Sequence, residues 1–502
     1  MSKYYITTPI YYINDVPHIG HAYTTIAADV LARYHRAKGD DVFFLTGTDE
    51  HGAKIAEAAA KAGKTPREFV DDLRPKFKET WKKLNISYDQ FFATTNPKHE
   101  EYVQDFVEDL EQNGFIEKRE YEGLYCVACE KFLKEAELVE GCCPDHKKPP
   151  VKQKEENYFF KLSEFQDKLL ERIESGELEI GPASRKNEIV GKIKQGLEDI
   201  SISRAAVEWG VAFPGDPKQT IYVWIDALLN YYTATKIYGD DIETSPSPSH
   251  PLHLASHQAE EELSAGGPAW PANLHLMAKD ILWFHSVIWP AMLLAADLPL
   301  PKKVFAHGFF TVNGQKMSKT IGNVIDPNEV VDKYGADAVR FYLLSAFPFG
   351  EDGDVSLEKL DQAYNKLANE VGNLVQRTLS MINKYSIDPK LEARSLKLGK
   401  VKIPDSRFQI PVAEELNNLD FAGALRKIMT VAEEQNKYIA EKQPWTLAKE
   451  GKADLLNEVL LSVYNNLVGL SDALLPFIPE TAEKMKKQLE TLEPEPIFPK
   501  LT

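Results

Sequence analysis

The chain opens on an apolar, β-branched run from Lys3 to Thr8 that reads as a buried strand, followed by an irregular turn from Pro9 to Pro17. From His18 the spacing changes. Ile19, Tyr23, Ile26, Val30 and Tyr34 recur every three or four residues, which predicts a helix, and Gly39 is placed to end it. Val42-Phe43-Phe44-Leu45 then runs without polar interruption, as in a parallel strand covered on both faces. Strand, helix and strand in so short a stretch make a βαβ unit, and the turn after the first strand is where such folds take up nucleotides.

The pattern breaks near residue 116. Residues 116–155 are rich in turn formers and end in Lys147-Lys148-Pro149-Pro150. Alternating strand and helix signals return with Ile221-Tyr222-Val223-Trp224-Ile225, Leu274 to Met277, a helical stretch from Asp280 to Ala296, and Lys303 to Ala306. The expectation is an α/β fold: one Rossmann-type parallel sheet split by an insertion. Residues 243–270 read as a surface excursion without assignable chemistry. Beyond residue 357 the period is helical almost throughout. Leu360, Tyr364, Leu367, Val371 and Leu374 form one stripe, Ala424, Ile428, Val431 and Ala432 a second, and Leu455, Val459, Val463 and Leu467 a third, which together predict a helical bundle. The boundaries that follow are a first sheet half over 1–115, an insertion over 116–219, a second half over 220–325, a linker over 326–356 and the bundle over 357–502.

Charge and cysteine usage narrow the partners. The formal net charge is −17, which excludes indiscriminate binding of nucleic acid over the whole surface but leaves room for a local groove. No apolar run is long enough to span a membrane, and the N-terminus has neither a signal-peptide nor a transit-peptide pattern, so a cytoplasmic protein is expected. The four cysteines, at 126, 129, 142 and 143, crowd together as metal ligands do rather than spreading as disulfide staples.

Two polar segments carry candidate chemistry. In Pro17-His18-Ile19-Gly20-His21, two histidines share the first helical turn with exposed backbone N–H groups and the positive end of the helix dipole, which suits an anion. Imidazole donors there can hold a triphosphate and stabilise charge developing at the α-phosphorus, and Gly20 allows a nucleotide close to the backbone. The same pair would also serve as plain helix caps. In Gly314-Gln315-Lys316-Met317-Ser318-Lys319-Thr320, two lysines follow a mobile glycine and can close over a pyrophosphate as point charges, although alone the segment reads as a solvated loop.

His-Ile-Gly-His and Lys-Met-Ser-Lys-Thr, in this order and separation, resemble the two signature motifs of the class I aminoacyl-tRNA synthetases, with Thr320 where the family usually has Ser. Leu45 to Gly52, Tyr222 to Ala227 and Lys279 to Ser286 resemble the methionine-specific members over nearly the whole chain, with Ala278 where those usually have Gly. The resemblance implies ATP-dependent activation of L-methionine to methionyl-adenylate and transfer to tRNA(Met), initiator and elongator, with Mg²⁺ entering with ATP. It implies His18, His21, Lys316 and Lys319 as catalytic groups, and adds Gly20 and Asp280 as ATP contacts. Asp49 would pair with the substrate ammonium, and Ile10, Tyr12, Trp224, Ala227, Tyr231, Ile281 and His285 would surround the thioether. Such a pocket makes physical sense, because a polarisable sulfur packs well on aromatic rings and a His or Tyr donor offers it a weak hydrogen bond. Leucine, isoleucine and valine enzymes carry a large editing insertion for which this chain is too short.

Cys126-x-x-Cys129 and Cys143-x-x-His146 offer three thiolates and an imidazole at knuckle spacing, a closed tetrahedral set for one structural Zn²⁺. Cys142 competes with Cys143, and the family's single-knuckle pattern favours Cys143. In the bundle, the resemblance assigns anticodon reading to Asn373, Arg377 and Trp445, whereas Asp337 and Arg340 look structural. Read in isolation, Trp445 and Arg377 would be a buried ring and a solvated charge. The chain ends soon after the bundle, from which a monomer is expected.

Overall fold

A computed structural model describes residues 2–126, 131–133, 135–144, 147–205, 207–237, 270–317, 323–389 and 410–499. The chain forms two compact units. One comprises Met1–Pro17, Lys38–Glu79 and Ser87–His307, the other His18–Ala37, Thr80–Ile86 and Gly308–Thr502.

In the first unit the strands that position functional residues are β1 (Lys3–Tyr12), β2 (Asp41–Asp49), β3 (Gln90–Ala93), β4 (Ile116–Cys126), β5 (Lys131–Leu133), β6 (Val151–Phe160), β7 (Glu179–Gly181), β8 (Leu274–Ala278) and β9 (Lys303–His307). Six of them form a parallel sheet in the order β3-β2-β1-β8-β9-β7. The sheet is α/β in kind, as the βαβ pattern implies. Its sixth strand, β7, lies inside the stretch that the sequence marks as insertion.

β1 runs past Pro9, where the sequence suggests a turn. Its register against β2 shifts between Thr7 and Ile10, and that irregularity accommodates a residue with no N–H to give the ladder. The strand therefore continues to Tyr12, opposite Asp49. Gly47 lets β3 come close to β2, since a Cβ there would lie 2.0 Å from the Phe92 carbonyl oxygen.

β4 and β6 pair antiparallel from Ile116↔Phe160 to Tyr125↔Val151, which corrects the turn-rich reading of this region. Charges hid the strand. Lys118 bonds Asp216 at 2.8 Å, and the Arg119 guanidinium lies 4.1 Å over the Phe159 ring, so polar side chains line a ribbon whose partners are distant in sequence. The excursion at 243–270 lies outside the described residues except for Trp270, whose indole donates to the Pro299 carbonyl at 2.8 Å.

The helix entered after β1 is α1 (Ile19–Ala37), as its spacing predicts, and it groups with the second unit. Helices α2 (Pro97–Gln112) and α3 (Val223–Lys236) belong to the first. The second unit adds α4 (Ala336–Ser345), α5 (Leu357–Leu367), α6 (Asn373–Lys384), α7 (Phe421–Lys442), α8 (Pro444–Lys449), α9 (Ala453–Leu474) and α10 (Pro479–Thr491). The apolar stripes of α5, α7 and α9 are buried as expected, with two departures: Leu455 is 40% exposed at the start of α9, and Val431 is half-buried. None of the described helices is long and apolar enough to cross a membrane.

At the centre of this unit Arg340, on α4, is wholly buried. Its guanidinium meets the buried Asp29 carboxylate of α1 at 2.6 Å and donates to the carbonyls of Phe477 (2.7 Å), Pro476 (3.0 Å) and Leu84 (3.1 Å). One turn earlier on α4, the Asp337 carboxylate caps the start of α10 through the Thr481 N–H. Burial pushes its pKa up to about 6, against the opposing pull of Thr481 and Arg340. Removing one member of a buried ion pair leaves the other charge desolvated and unpaired. Arg340→Ala is predicted to cost about 3–5 kcal/mol of unfolding free energy in a denaturant titration. A loss below about 1 kcal/mol would mean that the pair is no keystone.

Candidate functional site

In the first unit the functional side chains gather at the carboxyl ends of parallel strands, where an open α/β sheet leaves its crevice. Ile10 and Tyr12 come from the end of β1, and Asp49 is the last residue of β2, paired in register with Tyr12. From α3 come Trp224, Ala227 and Tyr231, three and four residues apart and so on one face. Ile281 and His285 follow β8. Ile281 closes a 3₁₀ turn, and His285 sits in a π-helical turn, Phe284–Ile288, of the kind that often re-aims side chains at functional sites. Asp280, in the same 3₁₀ turn, is exposed.

The side chains gathered on this face of α3 and after β8 are aromatic and neutral. Trp224 stacks on Phe284 with centroids 3.8 Å apart and planes 8° apart. The Tyr231 hydroxyl lies 2.8 Å from His285 Nε2, and His285 Nδ1 lies 2.9 Å from the Ile281 carbonyl oxygen. A carbonyl only accepts, so Nδ1 carries the hydrogen and Nε2 accepts from Tyr231. Burial pushes the His285 pKa down to about 4, with the Ile281 bond opposing, and pushes the Tyr231 phenol up. Both ring nitrogens of His285 are thus engaged within the protein. Of the two donors the sequence offers, His or Tyr, the imidazole holds the Tyr231 hydroxyl in place.

The turn after β2 is pinned from two sides. Glu50, wholly buried, receives Arg74 Nε at 2.7 Å and Nη2 at 2.5 Å, and the hydroxyls of Thr48 (2.7 Å) and Thr95 (2.5 Å). Gly52 follows at φ +105°, a conformation open to glycine, and its N–H donates to the Trp209 carbonyl. On the other side, His51 Nδ1 meets Asp226 Oδ2 at 2.7 Å, and His99 Nε2 meets Asp226 Oδ1 at 2.8 Å. Burial alone would lower the His51 pKa, but the charge and hydrogen bond of Asp226, with Glu100 and Asp49, raise it to about 10. The two imidazoles overcome desolvation of Asp226 and hold its carboxyl at about 2.

The phosphate-type residues belong to the second unit. His18 and His21 stack with centroids 3.7 Å apart at the start of α1. The His18 N–H donates to His21 Nδ1 (3.3 Å) and the Gly20 N–H to His18 Nδ1 (3.1 Å), so in each ring the hydrogen sits on Nε2. Burial lowers both pKa values, and His18 lowers that of His21 further, so both rings are neutral donors. The space a side chain at position 20 would need is taken by the His18 ring, 3.0 Å from an ideal Cβ. Lys316 lies on a two-residue strand, β11 (Gln315–Lys316), paired antiparallel with β10 (Phe310–Val312) through the positive-φ turn Asn313-Gly314. Asp354 holds that turn, accepting from the Gly314 N–H at 2.6 Å and the Thr311 hydroxyl at 2.8 Å. Lys319 lies outside the described residues.

Of the proposed metal ligands, Cys126 and Cys143 are buried together with Leu133 in one small cluster, while Cys129 and His146 lie outside the described residues. Cys142 is half-buried and stands outside that cluster. Two buried thiols brought together in so small a cluster fit a thiolate metal centre. On the helical surface, Asn373 and Arg377 line a cleft of about 490 Å³ with Asn369, Gln376, Ser380 and Asn436. Arg377 donates to Asn436 Oδ1 at 2.9 Å, and Asn436 donates to Glu370 Oε2 at 3.0 Å, so the cleft floor is preset. Trp445, 40% exposed at the start of α8, is not among the lining residues.

Sequence reasoning missed His99, Asp226, Glu50 and the ring of Phe284. For Asp226, Glu50 and Phe284 a signal existed, since all three sit inside the family-like segments. His99 had none, being a single histidine at the start of an ordinary amphipathic helix.

A sequence profile described as "tRNA synthetases class I (M)" matches residues 4–149 and 145–379. The chain is 46% identical over 98% of its length to the methionine–tRNA ligase of Caldanaerobacter subterraneus subsp. tengcongensis, and 44% identical over 97% to that of Thermotoga maritima. It spans 74% and 75% of those relatives. Among solved structures, Mycobacterium tuberculosis methionyl-tRNA synthetase in complex with methionyl-adenylate superposes with a TM-score of 0.84 at 34% identity, covering 100% of both chains. The apo form of the same protein gives 0.74 at 33% identity, covering 97% of this chain and 91% of that one.

Because Asp226 raises the His51 pKa to about 10, His51 should remain protonated across neutral pH. Its imidazole C–H resonances are predicted to show no titration midpoint between about pH 5 and 8. In Asp226→Asn the largest raising influence is lost, Glu100 and Asp49 alone oppose desolvation, and the midpoint should move down toward the neutral range. A wild-type midpoint near neutrality would overturn the charged-pair assignment.

Proposed function

We infer how the site works from one premise: the chain belongs to the methionine-specific class I aminoacyl-tRNA synthetases. It activates methionine with ATP and charges tRNA with it. The observation that carries the amino-acid reading is the buried, neutral Tyr231–His285 pair beside the Trp224–Phe284 stack. A thioether is long, polarisable and uncharged, and such a wall meets it with aromatic faces and an oriented phenol without requiring desolvation of a charge. Asp49, at the mouth of the same crevice, pairs with the ammonium, and Ile10, Tyr12, Ala227 and Ile281 close the sides.

The methionine carboxylate oxygen attacks the α-phosphorus of ATP in line. A new P–O bond forms as the bond to the bridging oxygen breaks, and pyrophosphate leaves with that electron pair. His18 and His21, as neutral Nε2–H donors, hold phosphate oxygens and receive the charge that grows on them. Lys316 and Lys319 neutralise the leaving pyrophosphate, and Mg²⁺ enters as the ATP complex. Asp280 holds the ribose. In the second step a terminal ribose hydroxyl of tRNA attacks the adenylate carbonyl and AMP departs. No side chain need become covalently attached, so catalysis rests on positioning and charge stabilisation. Asn373, Arg377 and Trp445 read the anticodon shared by initiator and elongator tRNA(Met), an edge-and-stacking mode suited to unpaired bases. A zinc ion held by Cys126, Cys129, Cys143 and His146 would staple the insertion. Since one chain carries every substrate group, a monomer is the working unit.

Lys319→Ala is predicted to slow methionine-dependent ATP–pyrophosphate exchange by on the order of 10²-fold or more, with unchanged circular dichroism. Exchange at the wild-type rate would remove Lys319 from the mechanism, and exchange driven best by another amino acid in a panel would remove the methionine assignment. Elemental analysis should find one zinc per chain, retained in Cys142→Ala and lost in Cys143→Ala. The reverse pattern would make Cys142 the ligand.

A further inference from the structure

The Asp226 carboxylate sits in the first turn of α3, where the helix dipole favours an anion, yet it faces away from Trp224, Ala227 and Tyr231. Its two oxygens are taken by imidazoles from two other segments, His51 at 2.7 Å and His99 at 2.8 Å. His99 also reaches Thr233 Oγ1 at 2.7 Å with its other nitrogen, so one imidazole on α2 grips α3 at two points two turns apart. The His99 ring is set edge-on to Phe92 of β3 at 5.0 Å, and the His51 ring packs edge-on to Trp209 at 5.4 Å. All three residues are at most 3% exposed. His51 is two residues from Asp49 in a turn whose other carboxylate, Glu50, is itself fixed by Arg74 and Thr95.

We propose that His51, Asp226 and His99 are positioning residues that act as a length gauge for the amino-acid substrate. By locking the first turn of α3 to the turn after β2, they set the separation between the Asp49 carboxylate and the thioether wall of Trp224, Ala227 and Tyr231. This rests on the reading that Asp49 holds the ammonium. One end of the substrate is then fixed by charge and the other by shape, and the clamp between them decides which chain length fits. None of the three touches substrate. A fixed span discriminates against homologues that differ by one methylene, which a hydrophobic pocket by itself separates by only about 10–200-fold. Slack of even a fraction of an ångström would erode it.

The test is ATP–pyrophosphate exchange on the full chain with methionine, ethionine (one methylene longer) and S-methylcysteine (one shorter). Variants are Asp226→Asn and, should that fail to fold, His99→Leu, with His99→Gln as the conservative change. The expected result is a rise in the methionine KM on the order of tenfold. The methionine kcat should stay within about threefold, the ATP KM should not change, and the preference for methionine over both homologues should shrink. His99→Gln, which keeps one donor, should fall between wild type and His99→Leu. Folded variants that keep the wild-type KM and preference would overturn the gauge, as would a parallel loss of kcat and both KM values, which marks a merely structural role. Asp49→Asn separates the two readings. If it leaves the methionine KM unchanged, the ammonium assignment falls and the gauge with it; if it raises that KM, the assignment stands and the preference ratios in Asp226→Asn alone decide whether the clamp measures length.

Discussion

A parallel sheet covered on both faces leaves polar chemistry only one place to gather, the carboxyl ends of its strands. The first unit depends on this constraint. Strands β1, β2 and β8 are neighbours, so the residues that end or follow them, Tyr12, Asp49, Asp280 and His285, converge although they come from distant parts of the sequence. The irregularity at Pro9 matters for the same reason, because without it β1 would end short of Tyr12 and leave nothing opposite Asp49. Beneath that edge the sheet is packed with Ile, Leu and Phe side chains, and a charge brought near it is costly unless it is paired and hydrogen-bonded.

That requirement explains why the buried charges come as closed sets. Glu50 is enclosed by Arg74 and two threonines, Asp226 by two histidines, and Asp29 by Arg33 and Arg340. An exposed pair such as Lys64–Asp72 contributes little, because water screens it and two mobile side chains must be ordered. Within the protein interior the same kind of contact is unforgiving, and losing one partner costs several times more than the pair contributes. Each closed set also has geometric consequences. Glu50 and His51 hold the turn that presents Asp49, while Arg340 ties the helix that begins at the His18–His21 pair to carbonyls of the turn joining α9 and α10.

Much of this was legible from residue order. Helix α1 and the bundle stripes declared themselves because a 3.6-residue period needs only local information. The candidate pocket residues and phosphate motifs could be named because they lie in short contiguous segments that resemble a family. What was missed was non-local. β4 and β6 carry their charges on a ribbon whose register is set across the pair, β7 has three residues and no pattern of its own, and His99 acquires meaning only from Asp226, 127 residues away. Gly20 was read as room for a ligand, and the fold adds that a Cβ there would also meet the His18 ring at 3.0 Å.

Residue types and their spacing determined which chemistries were possible: imidazoles at a helix start for phosphate, aromatic rings for a thioether, clustered thiols for a metal. Those follow from the side chains themselves. Only the tertiary structure decided what state each group is in. His18, His21 and His285 are neutral while His51 is charged, although all four are the same residue. The difference lies in who shares the buried space. Desolvation pushes every one of them toward neutrality, and only His51 has a carboxylate brought against it, from a residue 175 positions along the chain.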